Sequence, residues 1–260
     1  EINEHPDDTG VTITSNGEKT SNTITVETAK DQTTDVTLKD VNIEVNTSEA
    51  KTGAIEIKGD GDTNLELNGN NIVLSGNSEH AAIEKADKYG TGTLTIKDDV
   101  NDDGKLLAGG FNNSAGIGGG GTGDTANNSN ITITGGDIIA SGGYYGAGVG
   151  GGNGGNASNI RIEGNAHVTA FAECGAAIGS GYQSSGDSDI TITDHATVYA
   201  ASQTGCGIGD GQDASGKATI TISGNASVNA EGLDSSRVTA FTVPPVISVS
   251  YTHLRAHETL

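Results

Sequence analysis

The sequence predicts an all-β solenoid, a parallel β-helix of about eight coils. Three observations carry this. A short alternating apolar motif recurs about every 30 residues, as Val11, Val36, Leu65, Leu94, Ile131, Ile160, Ile190 and Ile220. A second marker, a small residue followed by Ile or Val, keeps step with the first as Ala54-Ile55, Ala82-Ile83, Gly116-Ile117, Gly148-Val149, Ala177-Ile178 and Gly207-Ile208. The 41 glycines are not scattered; in the repeats they fall between these apolar pairs.

Each repeat reads as three short strands. In the copy from Asn159 to Gly181, Ile160 and Ile162 alternate with Arg161 and Glu163, which sends the two pairs to opposite faces of a strand. A Gly-Asn turn, Gly164-Asn165, follows and is matched later by Gly224-Asn225; the Asn or Gly of each turn is expected to take left-handed backbone. Val168 and Ala170 mark the second strand, and Ile178 lies in a glycine-rich third run. One repeat cannot bury its apolar side alone, whereas stacked repeats pair each strand with its copy at ~4.8 Å. Small residues at Ala170, Ala200 and Ala230 suit a narrow interior.

The chain divides by style and not by domain. Residues 1–110 hold 22 of the 34 acidic residues and 12 of the 41 glycines. Residues 1–247 are read as one β-helix domain, with acidic coils over 11–108 and glycine-rich coils over 109–232. The longest repeat, Leu94 to Ile131, holds two insertions, an acidic turn from Asp98 to Gly104 and a glycine-rich stretch from Gly118 to Gly123. Further turn acids are Asp7, Asp8, Asp60 and Asp62. Neither end, at 1–10 or 231–247, offers a clear cap. Residues 248–260 break the pattern. Val249–Thr259 resembles a translated sequencing-library adapter and is set aside as an artefactual tail, so the protein is expected to continue past Ile247.

The net charge of −21 repels nucleic-acid phosphates and anionic lipid, and no apolar run is long enough for membrane insertion. Two cysteines do not make a disulfide framework; Cys174 and Cys206 lie two residues out of register in neighbouring coils and read as small core residues.

The segments SNITITGGDIIASGGYYGAGVGGG and ASNIRIEGNAHVTAFAECGAAIGSG resemble the glycine-rich repeats of large surface proteins from anaerobic, often gut, bacteria. The segment VTLKDVNIEVNTSEAKTGAIEIKGDGDTNLELNGNNIVLSGN resembles bacterial carbohydrate-binding β-helix domains. The resemblance covers about residues 8–232. It implies a right-handed parallel β-helix that is exported, extracellular and displayed at the cell surface, and some relatives bind acidic plant polysaccharide and calcium. No binding residue transfers from it, because its motifs are core residues and turn glycines.

Candidate chemistry is sparse. Asp99, Asn101 and Asp103 fit the opening of a calcium loop, D-x-N-x-D-G, since alternate oxygen ligands with a turn glycine suit that ion; the position for the closing Glu is Gly110. The other reading is a solvated acidic turn. Tyr144, Tyr145, Tyr182 and Tyr199 cluster in three successive coils and are candidate carbohydrate contacts, with covering of apolar turn surface as the alternative. A lyase or hydrolase would need Arg161, Glu163, Asp189 or Asp194 to converge. Gly211–Lys217 matches a phosphate loop in letters only, for it runs into a strand and not a helix. The expected function is a non-catalytic carbohydrate-binding or adhesion module, with calcium as its one candidate cofactor and a polysaccharide or cell-wall glycan as partner. The chain would act as a monomer within a larger protein. A ligand-free stalk and a pectin-degrading enzyme are the alternatives.

Overall fold

A computed structural model describes residues 2–3, 10–45, 52–232, 238–242 and 249–250. The turn acids Asp7 and Asp8, parts of both expected cap regions and most of 248–260 lie outside them; within the tail, the backbone of Val249–Ser250 pairs with Ser227–Glu231. The chain is a right-handed parallel β-helix of about seven turns, with three sheets and almost no helix. Sheet 1 has 9 strands, sheet 2 has 9 and sheet 3 has 8, and every pairing is parallel between successive coils. We number the coils by their sheet 1 strands: Val11–Thr14 (coil 1), Thr33–Lys39 (2), Asp62–Asn68 (3), Leu94–Lys97 (4), Asn128–Ile133 (5), Ala157–Ile162 (6), Ser188–Ile192 (7) and Ala218–Ile222 (8). Among the described residues, coil 8 supplies strands to sheets 1 and 2 only.

The alternation in the sequence becomes columns. Ile131, Ile160, Ile190 and Ile220 stack through the core of sheet 1, and Ala140, Ala170, Ala200 and Ala230 through that of sheet 2. Sheet 3 is two residues deep in coils 3 to 7, with Ile or Val inward and, from coil 4 onward, a glycine beside it. Gly118, Gly150, Gly179 and Gly209 all have φ between +127° and +140°, and a Cβ on Gly179 would stand 1.9 Å from the Gly209 carbonyl oxygen. That column explains the glycine after the second sequence marker.

The register departs from the expected spacing once. Leu94 pairs with Thr63, and Ile96 with Leu65. The cause is an inward threonine. Thr63 is buried, and its hydroxyl lies 3.0 Å from that of Thr28, which donates to Thr34 at 2.8 Å. The interior therefore starts two residues earlier than an apolar count indicates. The Gly-Asn turns are also refined. Left-handed backbone falls on Gly164, Asp194 and Gly224, at φ +63°, +59° and +66°, and not on Asn165 or Asn225. An asparagine ladder forms elsewhere, where Asn159 Nδ2 donates to Asn130 Oδ1 at 2.8 Å. The insertions of coil 4 leave the stack uninterrupted; the second starts from the sheet 3 strand at Gly118 and ends in a short 3-10 helix, Gly123–Thr125. Cys174 and Cys206 are buried and form no disulfide. Among the described residues no helix is long and apolar enough to cross a membrane.

Candidate functional site

Three of the four tyrosines meet. After the sheet 2 strand Asp137–Ser141, the chain runs Gly142-Gly143-Tyr144-Tyr145-Gly146, laid directly on the turn of the coil before it. A Cβ on Gly146 would stand 2.1 Å from the Ser114 carbonyl oxygen, so only glycine allows this approach. The Tyr145 N–H donates to the Asn112 carbonyl at 2.7 Å, and the Tyr182 N–H of the next coil donates to the Tyr145 carbonyl at 2.9 Å. This backbone ladder brings the rings of Tyr144 and Tyr145 edge to face at 4.6 Å, and those of Tyr145 and Tyr182 to 4.9 Å. Tyr144 is 46% exposed, and the other two are half-buried.

Side-chain amides lie on turns of coils 4, 5 and 7. Asn153 Nδ2 donates to Asn113 Oδ1 at 3.2 Å, and Thr204 Oγ1 donates to Gln212 Oε1 at 2.7 Å. Charge and hydrogen bonding from Cys174, then Glu173, push the Tyr144 hydroxyl above the ordinary phenol range; burial, then Asp213, does the same for Tyr182. Both hydroxyls stay protonated at neutral pH; that of Tyr144 bonds to Cys174 and that of Tyr182 to Asp213, which leaves each oxygen as an acceptor for a ligand hydroxyl.

Tyr199 stands apart. It projects from the outer face of the sheet 2 strand Thr197–Ser202, packs edge to face against Phe171 at 6.0 Å, and donates to Glu231 Oε2 at 3.2 Å.

The acidic turn is organised around a residue the sequence reading passed over. Glu66 Oε1 accepts the N–H groups of Asp99 and Val100 at 2.8 and 3.0 Å. Asp99 Oδ2 binds Lys97 Nζ at 2.9 Å, and Asp103 Oδ1 accepts the Gly69 N–H at 3.3 Å. Asp99 and Asp103 thus face different partners, and no bond of Asn101 ties it to either. Among the described residues no group of three or more His, Cys, Asp and Glu side chains is placed to hold a metal ion. Asp60, the weaker acidic candidate, accepts from the Thr91 N–H and hydroxyl at 3.0 Å each, and the N–H bond foremost holds its carboxyl below the usual range.

The residues for a lyase or hydrolase do not converge. Arg161 and Glu163 form their own ion pair at 2.8 Å, Asp194 Oδ2 accepts the Gly164 N–H at 3.1 Å, and Asp189 is exposed at its strand.

The densest acid–base cluster lies elsewhere. In sheet 3, Glu56 and Glu84 are register partners on adjacent coils, and both are buried. Lys58 Nζ reaches Glu56 Oε2 at 2.8 Å and also sits 4.9 Å from the centre of the Tyr89 ring. His80 Nδ1 meets Glu84 Oε2 at 2.8 Å. The glycine-rich insertion closes over them: a Cβ on Gly120 would stand 2.7 Å from the Glu79 carbonyl oxygen and 2.9 Å from Glu84 Oε1. Burial pushes the Glu84 carboxyl up, the bond to Glu84 raises His80, and burial chiefly raises Tyr89. The sequence signal was Ile-Glu at both 55–56 and 83–84, two outward acids in one column. Since the two carboxylates are covered, the cluster clamps coils 2 to 4 and offers no surface to a substrate.

With this geometry in hand, comparison with known families matches the beta helix repeat over residues 131–153, 160–182 and 190–212. Each matched segment runs from a sheet 1 strand through sheet 3 into the following turn, in coils 5, 6 and 7. Comparisons with curated proteins and with solved structures give no match. Fold and repeat together define a parallel β-helix protein.

Proposed function

We propose that the chain is a non-catalytic binding module of an extracellular bacterial surface protein, and that it holds a polysaccharide or cell-wall glycan at Tyr144, Tyr145 and Tyr182. The observation that carries this reading is the ring cluster itself. The chain has 6 tyrosines and no tryptophan, and three of the six meet at one half-exposed place. Aromatic faces stack on the apolar faces of sugar rings, while amides and hydroxyls beside them bond sugar hydroxyls. Asn113, Asn153 and Gln212 are candidates for those groups, on turns of coils 4, 5 and 7. An enzymatic reading has less support, since the carboxylate pair Glu56 and Glu84 is covered and Arg161 is neutralised by Glu163.

Native gels cast with a panel of plant and host polysaccharides test the proposal. At least one glycan is expected to retard the full chain, and Tyr144→Ala with Tyr182→Ala is expected to restore free mobility. Retardation abolished by chelator would bring in calcium at Asp99, Asn101 and Asp103. Unchanged mobility in every gel would refute the module and favour a ligand-free stalk.

A further inference from the structure

The outer face of sheet 2 is unlike that of sheet 1. The outward column of sheet 1 reads Asn64, Thr95, Thr132, Arg161, Thr191 and Thr221, as expected for a strand face in water. The corresponding column of sheet 2 reads Ile72, Leu107, Ile139, Thr169 and Tyr199. Leu107 is 37% exposed and Ile139 46%, although neither is needed for the core, which the inward Leu106, Ala108, Ile138 and Ala140 already fill. Strand propensity alone would be met by threonine, as sheet 1 demonstrates. An apolar strip kept in water across successive coils marks an interaction surface.

The strip floors a depression of about 470 Å³ over coils 3 to 6. Through Lys105, Asp137 and His167 it opens into a second depression of about 270 Å³, walled by Asp98, Asp102 and Asp103. Four carboxylates therefore face Lys105 and one histidine, and His167 is already paired with Asp137 at 3.2 Å. Asp98 Oδ2 accepts the Gly104 N–H at 2.7 Å, while its Oδ1 is shielded from solvent with no hydrogen-bond partner. Apolar floor and acidic wall lie side by side.

We infer that this groove docks an extended cationic peptide segment of a partner protein, with apolar side chains on Ile72, Leu107 and Ile139 and Lys or Arg side chains on the Asp98–Asp103 wall. A second copy of this chain fits less well, because it brings its own net charge of −21 to an acidic wall. A neutral glycan would leave the wall unanswered. The site is separate from the Tyr144–Tyr145–Tyr182 cluster, and its failure would leave the glycan reading standing.

The test is fluorescence anisotropy of the full chain with two labelled peptides of equal charge, one alternating Lys and Leu, the other Lys and Ser. The Lys-Leu peptide is expected to bind at least tenfold tighter. Two double variants then separate docking from general attraction to an acidic protein. Leu107→Asp with Ile139→Asp adds negative charge at solvent-exposed positions, so general attraction predicts tighter binding, whereas docking predicts a loss of tenfold or more. Asp102→Asn with Asp103→Asn should weaken binding severalfold and flatten its salt dependence. Leu107→Ser with Ile139→Thr repeats the first test if the aspartates disturb folding. Binding that is equal or tighter in the aspartate variant would overturn the inference. So would self-association of the chain, in sedimentation, that Ile139→Asp abolishes while no peptide binds.

Discussion

The contact between buried Glu84 and half-buried His80 links one ion pair to the pH dependence of the whole fold. Burial raises the Glu84 carboxyl and the bond to Glu84 raises His80, so both groups hold protons more tightly folded than unfolded. A raised folded value gives stability that is complete below the unfolded value and is lost as pH climbs through the folded one. Their contribution is therefore full below about pH 4.5 for Glu84 and about 6.5 for His80, and it declines above. Glu56, Glu79, Lys58 and Tyr89 face the same pocket, and the two further acids reinforce the direction for His80. Thermal melts should show the wild type losing more stability between pH 5 and 8 than Glu84→Gln does; equal losses would count against the clamp. Gly179 makes a second prediction at this scale. At φ +139° and hard against the Gly209 carbonyl, Gly179→Ala should cost on the order of 3 kcal/mol in urea melts. A loss well under 1 kcal/mol would mean the neighbouring backbone gives way freely.

At the scale of strands and turns, hydrogen bonds decide what apolar counting cannot. Asn71 is buried in the sheet 2 strand Asn70–Ser75, where an aliphatic residue would be expected. Its Oδ1 accepts the Val41 N–H at 3.0 Å, and its Nδ2 donates to the Asn68 and Lys105 carbonyls at 3.2 and 3.1 Å. One side chain thus fastens the first corner of three successive coils. Asn71→Leu should cost about 1–3 kcal/mol, because it strands a buried N–H; a neutral result in chemical denaturation would show that water takes over. The strands themselves were legible. Ile160, Ile162, Val168, Ala170 and Ile178 all face inward as alternation requires, and Arg161 takes its place in the outer column from Thr95 to Thr221. The two-residue slip at Leu94 was not legible, because Thr63 is polar by type and buried only through its hydroxyl partner. The order of the acidic turn was not legible either: D-x-N-x-D-G names oxygens, but the carboxylate that accepts the turn's N–H groups is Glu66, one coil away in the stack. Short-range motifs cannot report a partner 33 residues distant. The tyrosines were half legible, since spacing put all four in adjacent coils, while only the chain path around Gly146 separates Tyr199 from the rest.

For the molecule as a whole, the stack is quasi-one-dimensional, each coil resting on its neighbours, with a net charge of −21 spread along it. Like charges repeated at coil spacing repel, and salt screens them within about 8 Å at physiological strength. The melting temperature of the full chain should therefore rise from low to physiological salt; a fall would place the dominant electrostatics in ion pairs such as Lys97 with Glu66 and Asp99. The same length gives the protein room for separate surfaces, a ring cluster at the turns of coils 5 and 6 and an apolar groove on sheet 2. The central claim concerns the first of these. With no tryptophan in the chain, intrinsic fluorescence comes from tyrosine alone, and three of six tyrosines are in the cluster. Titrating the full chain with a glycan that retards it should give a saturable change in tyrosine emission, lost in Tyr144→Leu with Tyr182→Leu. Retardation with no change in emission, or a change that survives in that variant, would place the glycan elsewhere and contradict the account.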